Sequence, residues 1–241
     1  MSFFPIDAGT GGVPAALNLA FVPAMQRRKL SVLEKLALAA MNAVAPASAG
    51  TSCDVVFASR FGEWRRTVRL LTQLHEEHEI SPTGFTLSVH NAAPAVFSLL
   101  RGDTAPYTAI AAGTRTLENG LFQAILLRRR VIFVFAEEPV PEFYANDFSE
   151  KIFVGALALL IEPDGNEADG NEADGRAERR ADGNDGCEVG GNDFPESEFF
   201  TDEGVAGTPP LSVSALTEFL GAAGAAARLE TAAFTLVRRK D

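Results

Sequence analysis

The chain has 241 residues, 46% of them hydrophobic and 22% charged, with a formal net charge of −11. That balance suits one large globular domain or two small ones and is too apolar for a disordered chain. An acidic chain is also a poor nucleic-acid binder, which needs a basic surplus.

The acidity is local. Glu162 to Glu203 holds 15 acidic and 3 basic residues, a net of −12, which leaves 17 acidic and 18 basic residues elsewhere, a net of +1. Asn-Glu-Ala-Asp-Gly occurs twice in succession, at 166–170 and 171–175, with a degraded copy near Ala181 to Asp185. This stretch has almost no apolar side chains to offset its ordering entropy, so it reads as a disordered insert in a fold. The expected division is a folded part at 1–161, an acidic low-complexity insert at 162–208, and a helix and strand at 209–241 that complete the same domain.

The elements follow in chain order. Ser31 with Glu34 forms a capping box that opens a helix, with Leu33, Leu36, Ala37, Ala40, Met41 and Val44 at helical spacing. A short strand at Asp54 to Ala58 precedes a helix from Glu63, with Trp64, Val68, Leu71 and His75 on one face. Ser81-Pro82-Thr83-Gly84 reads as a turn into a strand at Phe85 to Val89. Then come a helix at Ala93 to Leu100, a strand at Tyr107 to Ala112, a helix from Leu117 to about Arg129 and a strand at Val131 to Phe135. Ile152 to Ile161 is a further apolar strand; beyond the insert, Ser212 to Gly221 reads as a helix and Thr231 to Val237 as a strand. Apolar runs separated by helices predict an α/β fold, a mostly parallel (mixed) five-stranded sheet with helices on both faces.

Local motifs exclude several chemistries. His75 and His78 are three apart, whereas a zinc helix of the His-Glu-x-x-His kind needs four, so no metal site is expected. Gly9-Thr10-Gly11-Gly12 lacks the Lys-Ser/Thr of a phosphate-binding loop, and Ala168 breaks an EF-hand reading begun at Asp164 and Asn166. Arg101-Gly102-Asp103 has no secreted context. Met1 to Pro5 has no basic start or apolar stretch of a signal peptide, and Ile152 to Ile161 is half a membrane span. Cys53 and Cys187 are too few for a disulfide framework, so a cytoplasmic setting is expected, with no cofactor, nucleic acid or membrane as partner.

One stretch carries more. Ser81-Pro82-Thr83-Gly84-Phe85-Thr86-Leu87-Ser88-Val89-His90-Asn91-Ala92, followed by Arg101 to Thr114, resembles the N-terminal half of β-ketoacyl synthases of the thiolase-like fold. The likeness is greatest to short chain-length-factor subunits of aryl-polyene and fatty-acid-like clusters. Gln26 to Ser31, Val56 to Glu63 and Gly155 to Pro163 match in the same order, so 1–161 reads as a ketoacyl-synthase-like N-terminal domain. The resemblance implies a nucleophilic cysteine at the turn after the strand that here begins at Tyr107. That position is Thr114, or Gly113 if the alignment slips by one. The family's two catalytic histidines belong to a C-terminal half, and His75, His78 and His90 all precede the nucleophile position. A Cys-His-His condensing site is therefore not expected.

The resemblance instead implies a non-catalytic subunit that pairs with a full-length β-ketoacyl synthase in a heterodimer. The strand Tyr107, Thr108, Ala109, Ile110, Ala111, Ala112 is the implied interface, since an open sheet edge invites pairing. Phe85, Phe97 and Leu100 are candidates for bulk along an acyl tunnel. Arg27, Arg28, Lys29, Arg128, Arg129 and Arg130 are candidates for docking an acidic acyl carrier protein, although a cationic cluster at a helix C-terminus also suits the helix dipole. Two alternatives stay open: an acyltransferase using Thr114 or Ser88 as acceptor, and a homodimeric scaffold with no synthase partner. The helix after Thr114 has one apolar side, and the helix at 212–221 is expected to cover part of that layer.

Overall fold

The structure is a computed structural model, and it describes residues 2–5, 17–46, 53–144, 146–148, 152–162, 210–221, 227–230 and 235–238. The acidic stretch from 163 to 209, which holds the repeats and Cys187, lies outside the described residues.

The first strand, β1 (Ser2–Pro5), flanks the sheet, and a short helical turn, α1 (Ala24–Arg27), leads into α2 (Val32–Val44). The capping box forms as expected: Glu34 N donates to Ser31 Oγ at 2.9 Å, and Ser31 N donates to Glu34 Oε2 at 2.7 Å. Every residue from Leu36 to Met41 is buried, so α2 is a core helix, apolar on all sides along that stretch. Next come β2 (Asp54–Ala58), α3 (Trp64–Glu77), α4 (Pro82–Thr86), α5 (Ala92–Arg101) and β3 (Tyr107–Ile110). A 3₁₀ turn at Gly113–Arg115 joins β3 to α6 (Thr116–Leu126), which is followed by β4 (Val131–Glu137) and β5 (Gly155–Ile161). Past the acidic stretch lie α7 (Val213–Gly221), β6 (Ala227–Glu230) and β7 (Thr235–Arg238).

β5, β4, β2 and β3 form a mixed sheet in that order. β2 pairs parallel with β3 and β4, while β4 pairs antiparallel with β5, and β1 lies antiparallel outside β5. β3 is the free edge. Side chains alternate between two cores, as the strand period requires. Val55, Phe57, Ile132, Val134, Ala156 and Ala158 face α2 and α5. Val56, Ala58, Phe133, Phe135, Leu157 and Leu159 face α6 and α7. The helices thus cover both faces. Leu211, Val213 and Leu216 share the second core with Leu117, Leu121 and Ala124, so α7 does cover the α6 layer.

At four points the fold departs from the sequence reading or adds to it. Phe85 to Val89 is not a strand: Ser81 Oγ accepts from Gly84 N at 3.2 Å and Pro82 takes the first helical position, so Ser-Pro opens α4. The alternating Phe85, Leu87 and Val89 imitated a strand period over too short a run. Trp64, Val68, Leu71 and His75 follow one face of α3, but no residue of α3 is buried and Leu71 is 60% exposed, because α3 packs on the small α4 rather than on the sheet. The C-terminal strand lies apart from the main sheet. β7 pairs with β6 in a separate two-stranded ribbon, and 231–234 lie outside the described residues. The sheet is also less parallel than expected, because β5 runs against β4. Among the described residues no helix is long and apolar enough to cross a membrane.

Gly120 sets how closely α6 lies on the sheet. A Cβ there would sit 2.6 Å from Ala58 Cβ and 3.0 Å from Phe133 Cε2. Gly120→Ala is expected to lose roughly 1–3 kcal/mol of stability through overpacking, despite alanine's better helix propensity. A urea midpoint equal to or above that of the parent would contradict this close-approach account.

Candidate functional site

The C-terminal ends of β2, β3 and β4 converge on a cavity of about 260 Å³. Its floor is apolar, with Phe61, Leu117, Phe135, Phe153, Leu211 and Val213, and Gly113, Thr114, Arg60 and Glu137 supply its polar groups. The Pro210–Val213 segment closes one side, so residues on both sides of the acidic stretch build the cavity.

Thr114 sits where the chain turns from β3 into α6. Gly113 has φ 55°, a left-handed conformation that a side chain resists, which suits glycine at this bend. Thr116 Oγ1 accepts from Ala112 N at 2.9 Å and donates to Gly113 O at 2.7 Å. Arg115 pairs with the buried Glu118 at 2.9 Å, which anchors the first turn of α6. The turn therefore presents the Thr114 side chain, exposed, at the cavity mouth.

No histidine among the described residues lines this cavity. His90 Nε2 contacts Ser59 O at 2.7 Å, and its ring fills the space a Cβ on Gly62 would need, 2.8 Å away. His75 and His78 are exposed at the end of α3. The titratable cavity group is Glu137, whose carboxyl burial pushes up to about 7. Its oxygens accept from Ser59 Oγ at 3.2 Å and from the backbone N–H groups of Arg60 and Phe61. Those three bonds fix the β2–α3 loop and occupy most of the roughly four lone-pair sites of the carboxylate. Ser88 lies elsewhere, with Oγ donating to Phe85 O at 2.8 Å.

The other candidates scatter. β3 is half open: Tyr107 and Thr108 are exposed, Ala109 and Ile110 partly buried, and Ala111 and Ala112 lie past the strand end. Phe97 is buried in the α2 and α5 core, Phe85 is 58% exposed, and Leu100 lines a separate surface groove with Leu30, Leu87 and Val96. None of the three reaches the Thr114 cavity. The two basic clusters lie at opposite ends of the parallel strands. Arg129 pairs with Asp54 and Arg130 with Glu162 at 2.6 Å, both at the N-terminal end of β2 and β4. Arg27 donates to Val22 O at 2.9 Å, and Arg28 and Lys29 line a cleft near the C-terminal end.

Sequence reasoning missed the buried carboxylates there. Glu34, Glu63, Glu137 and Glu138 are all at most 4% exposed. Burial is the first cause raising each: Glu34 and Glu138 also reach about 7, and Glu63 is raised too. The signal was present for two of them, because Glu137 and Glu138 directly follow an apolar strand run with no polar break.

The sequence profile for the β-ketoacyl synthase N-terminal domain matches residues 8–193. A solved structure of a ketosynthase (ApeO) in complex with its chain length factor (ApeC) from Xenorhabdus doucetiae contains a chain similar to this one, with 30% identity and a TM-score of 0.55. The match covers 59% of this chain and 62% of that chain, less than two thirds of its length. No curated protein matches the sequence.

Proposed function

The chain belongs to the β-ketoacyl synthase N-terminal domain family, with a thiolase-like α/β fold, and from that premise we propose a non-catalytic subunit of the chain-length-factor kind. The observation that supports this reading is the cavity at the turn between β3 and α6: Thr114, which we align with the family's nucleophile position, lines it beside Gly113, and no histidine or cysteine among the described residues does. A threonine without a partnered base is a poor acyl acceptor.

The partner in this reading is a full-length β-ketoacyl synthase that supplies the catalytic residues, in fatty-acid, polyene or polyketide-type chain synthesis. The β3 edge is the proposed contact. Val55 N donates to Pro106 O and Ser59 N to Ile110 O, so residues 106, 108 and 110 turn their backbone groups toward β2. By alternation, Tyr107 and Ala109 turn theirs outward, free to pair with a second chain. Exposed Phe85, Val89 and Leu99 lie in the segment leading to that edge. An acidic acyl carrier protein is the proposed second partner, met by Arg28 and Lys29 rather than by the ion-paired Arg129 and Arg130.

Co-expression with a synthase tests the pairing. A 1:1 complex that forms only when both chains are present supports it, and a stable lone homodimer supports a scaffold instead. Ala109→Pro removes an outward donor without touching the β2 ladder. It is expected to lower complex yield at least tenfold while the melting temperature of the free chain moves little. Unchanged complex formation would exclude the β3 edge. An acyl adduct on Thr114 after incubation with acyl-carrier substrate, detected by intact mass, would overturn the non-catalytic reading.

A further inference from the structure

A second cleft, of about 270 Å³, shares no residue with the Thr114 cavity. Arg28, Lys29, Lys35, Arg65, Arg66 and Arg69 line it, and they come from the end of α1, the first turn of α2 and the outer face of α3. Like charges do not gather without a cause, and here the cause is structural. Glu138 accepts from Arg65 N at 3.0 Å and from the Leu33 backbone N–H, which ties the first turns of α2 and α3 together. Glu34 and Glu63 both hold Arg66, at 2.7 and 3.0 Å. The buried carboxylates thus consume Arg66, and Glu138, which also lines the cleft, acts on Arg65 at close range; the remaining cations are left at the cleft. Among the described residues, Arg28, Lys29, Lys35, Arg65 and Arg69 make no ion pair.

Shape and residue type narrow what this cleft takes. Three of the five cations are arginines, whose planar forks match phosphate oxygens two at a time. A carboxylate has two oxygens and is satisfied by one fork, whereas a phosphate ester offers three and can engage several. The cleft is concave, and its volume of about 270 Å³ lies just below the roughly 300 Å³ at which ligand-pocket sizes start, which limits it to a small ligand. It is also polar, unlike the Thr114 cavity and the Leu100 groove. We propose that the cleft between α1, α2 and α3 is a binding site for a phosphate-bearing small molecule.

Titration calorimetry on the full chain with inorganic pyrophosphate tests this, at an ionic strength near 0.15 M to screen loose surface attraction. Saturable one-to-one binding is expected. Arg65→Ala with Arg69→Ala should weaken it at least tenfold, and Arg65→Lys with Arg69→Lys, which keeps the charge and loses the forks, should weaken it severalfold. Lys29→Gln with Lys35→Gln provides an independent loss should the arginine variants fail to fold. Arg128→Ala, at the other end of the sheet, should change nothing. Absence of saturable binding at millimolar pyrophosphate overturns the proposal. So does equal affinity for a hexaglutamate peptide, lost alike in the arginine-to-alanine and lysine-to-glutamine variants and kept in the arginine-to-lysine ones, which would leave the cleft to the acidic carrier protein alone.

Discussion

Arg66→Ala is expected to destabilise the protein by about 3–5 kcal/mol, the usual cost of stripping one partner from a buried ion pair. Arg66 is the cation shared by Glu34 and Glu63, which are 0% and 3% exposed, and it also donates to Lys29 O at 3.1 Å. Its loss leaves two carboxylates facing each other in a dry site, with Glu34 Oε1 already lacking a hydrogen-bond partner. Arg66→Lys should recover only part of the loss, because one ammonium nitrogen cannot reproduce the spacing of Nε and Nη2, which each hold one carboxylate. Urea unfolding at pH 7.5 provides the measurement. A loss below about 1 kcal/mol, the range of an exposed pair, would mean that solvent reaches the network. The defect should also shrink as the pH falls, since protonation removes the repulsion.

Lowering the pH from 7.5 to 5 is expected to stabilise the parent protein, the reverse of ordinary acid sensitivity. Glu34, Glu137 and Glu138 have carboxyls raised from 4.5 to about 7, with burial as the largest cause in each. The groups facing them are Glu63, Arg66 and Ser31 around Glu34, Arg60 and Ser59 around Glu137, and Arg65 and Glu63 around Glu138. Between pH 4.5 and 7 the folded state therefore binds more protons than the unfolded chain. Stability is greatest below 4.5 as far as these groups are concerned, falls as the pH rises through the window, and levels off above 7. One such group contributes a slope of about 1.4 kcal/mol per pH unit inside the window. Melting temperatures at pH 5, 6 and 7.5 in matched ionic strength should fall in that order. Glu138→Gln, which cannot ionise, should flatten the trend, and a melting temperature that rises with pH would remove the carboxylates as its cause.

Both results depend on groups that local sequence signals describe incompletely. Glu34 was legible as half of a capping box, and the structure keeps that role, yet the same carboxylate also meets Arg66 thirty-two residues away. Ser31 likewise caps α2 and donates to Glu63 at 2.7 Å. No spacing rule reports a second partner at such separation, because it is set by how two helices dock. α4 shows the opposite case. Its start was written locally in Ser81-Pro82, but the alternation of Phe85, Leu87 and Val89 pointed to a strand and prevailed. The α3 face adds a third point: an amphipathic stripe states that a helix has an apolar side and not that a neighbour covers it.

The −12 of the acidic stretch and the +1 of the remainder were fixed by composition alone, and so was the place where basic clusters had to be sought. The alternation of strands and helices, the capped start of α2 and the threonine at the turn before α6 were also legible, because each depends on neighbours in the chain. Tertiary structure decided the rest. It set β5 against β4, left β3 at the edge, placed α7 over α6, and split the six candidate docking cations between two ends of the sheet. Strand order and the burial of charge depend on which surfaces meet across long separations, and that is settled by packing two cores around one sheet rather than by the spacing of residues along the chain.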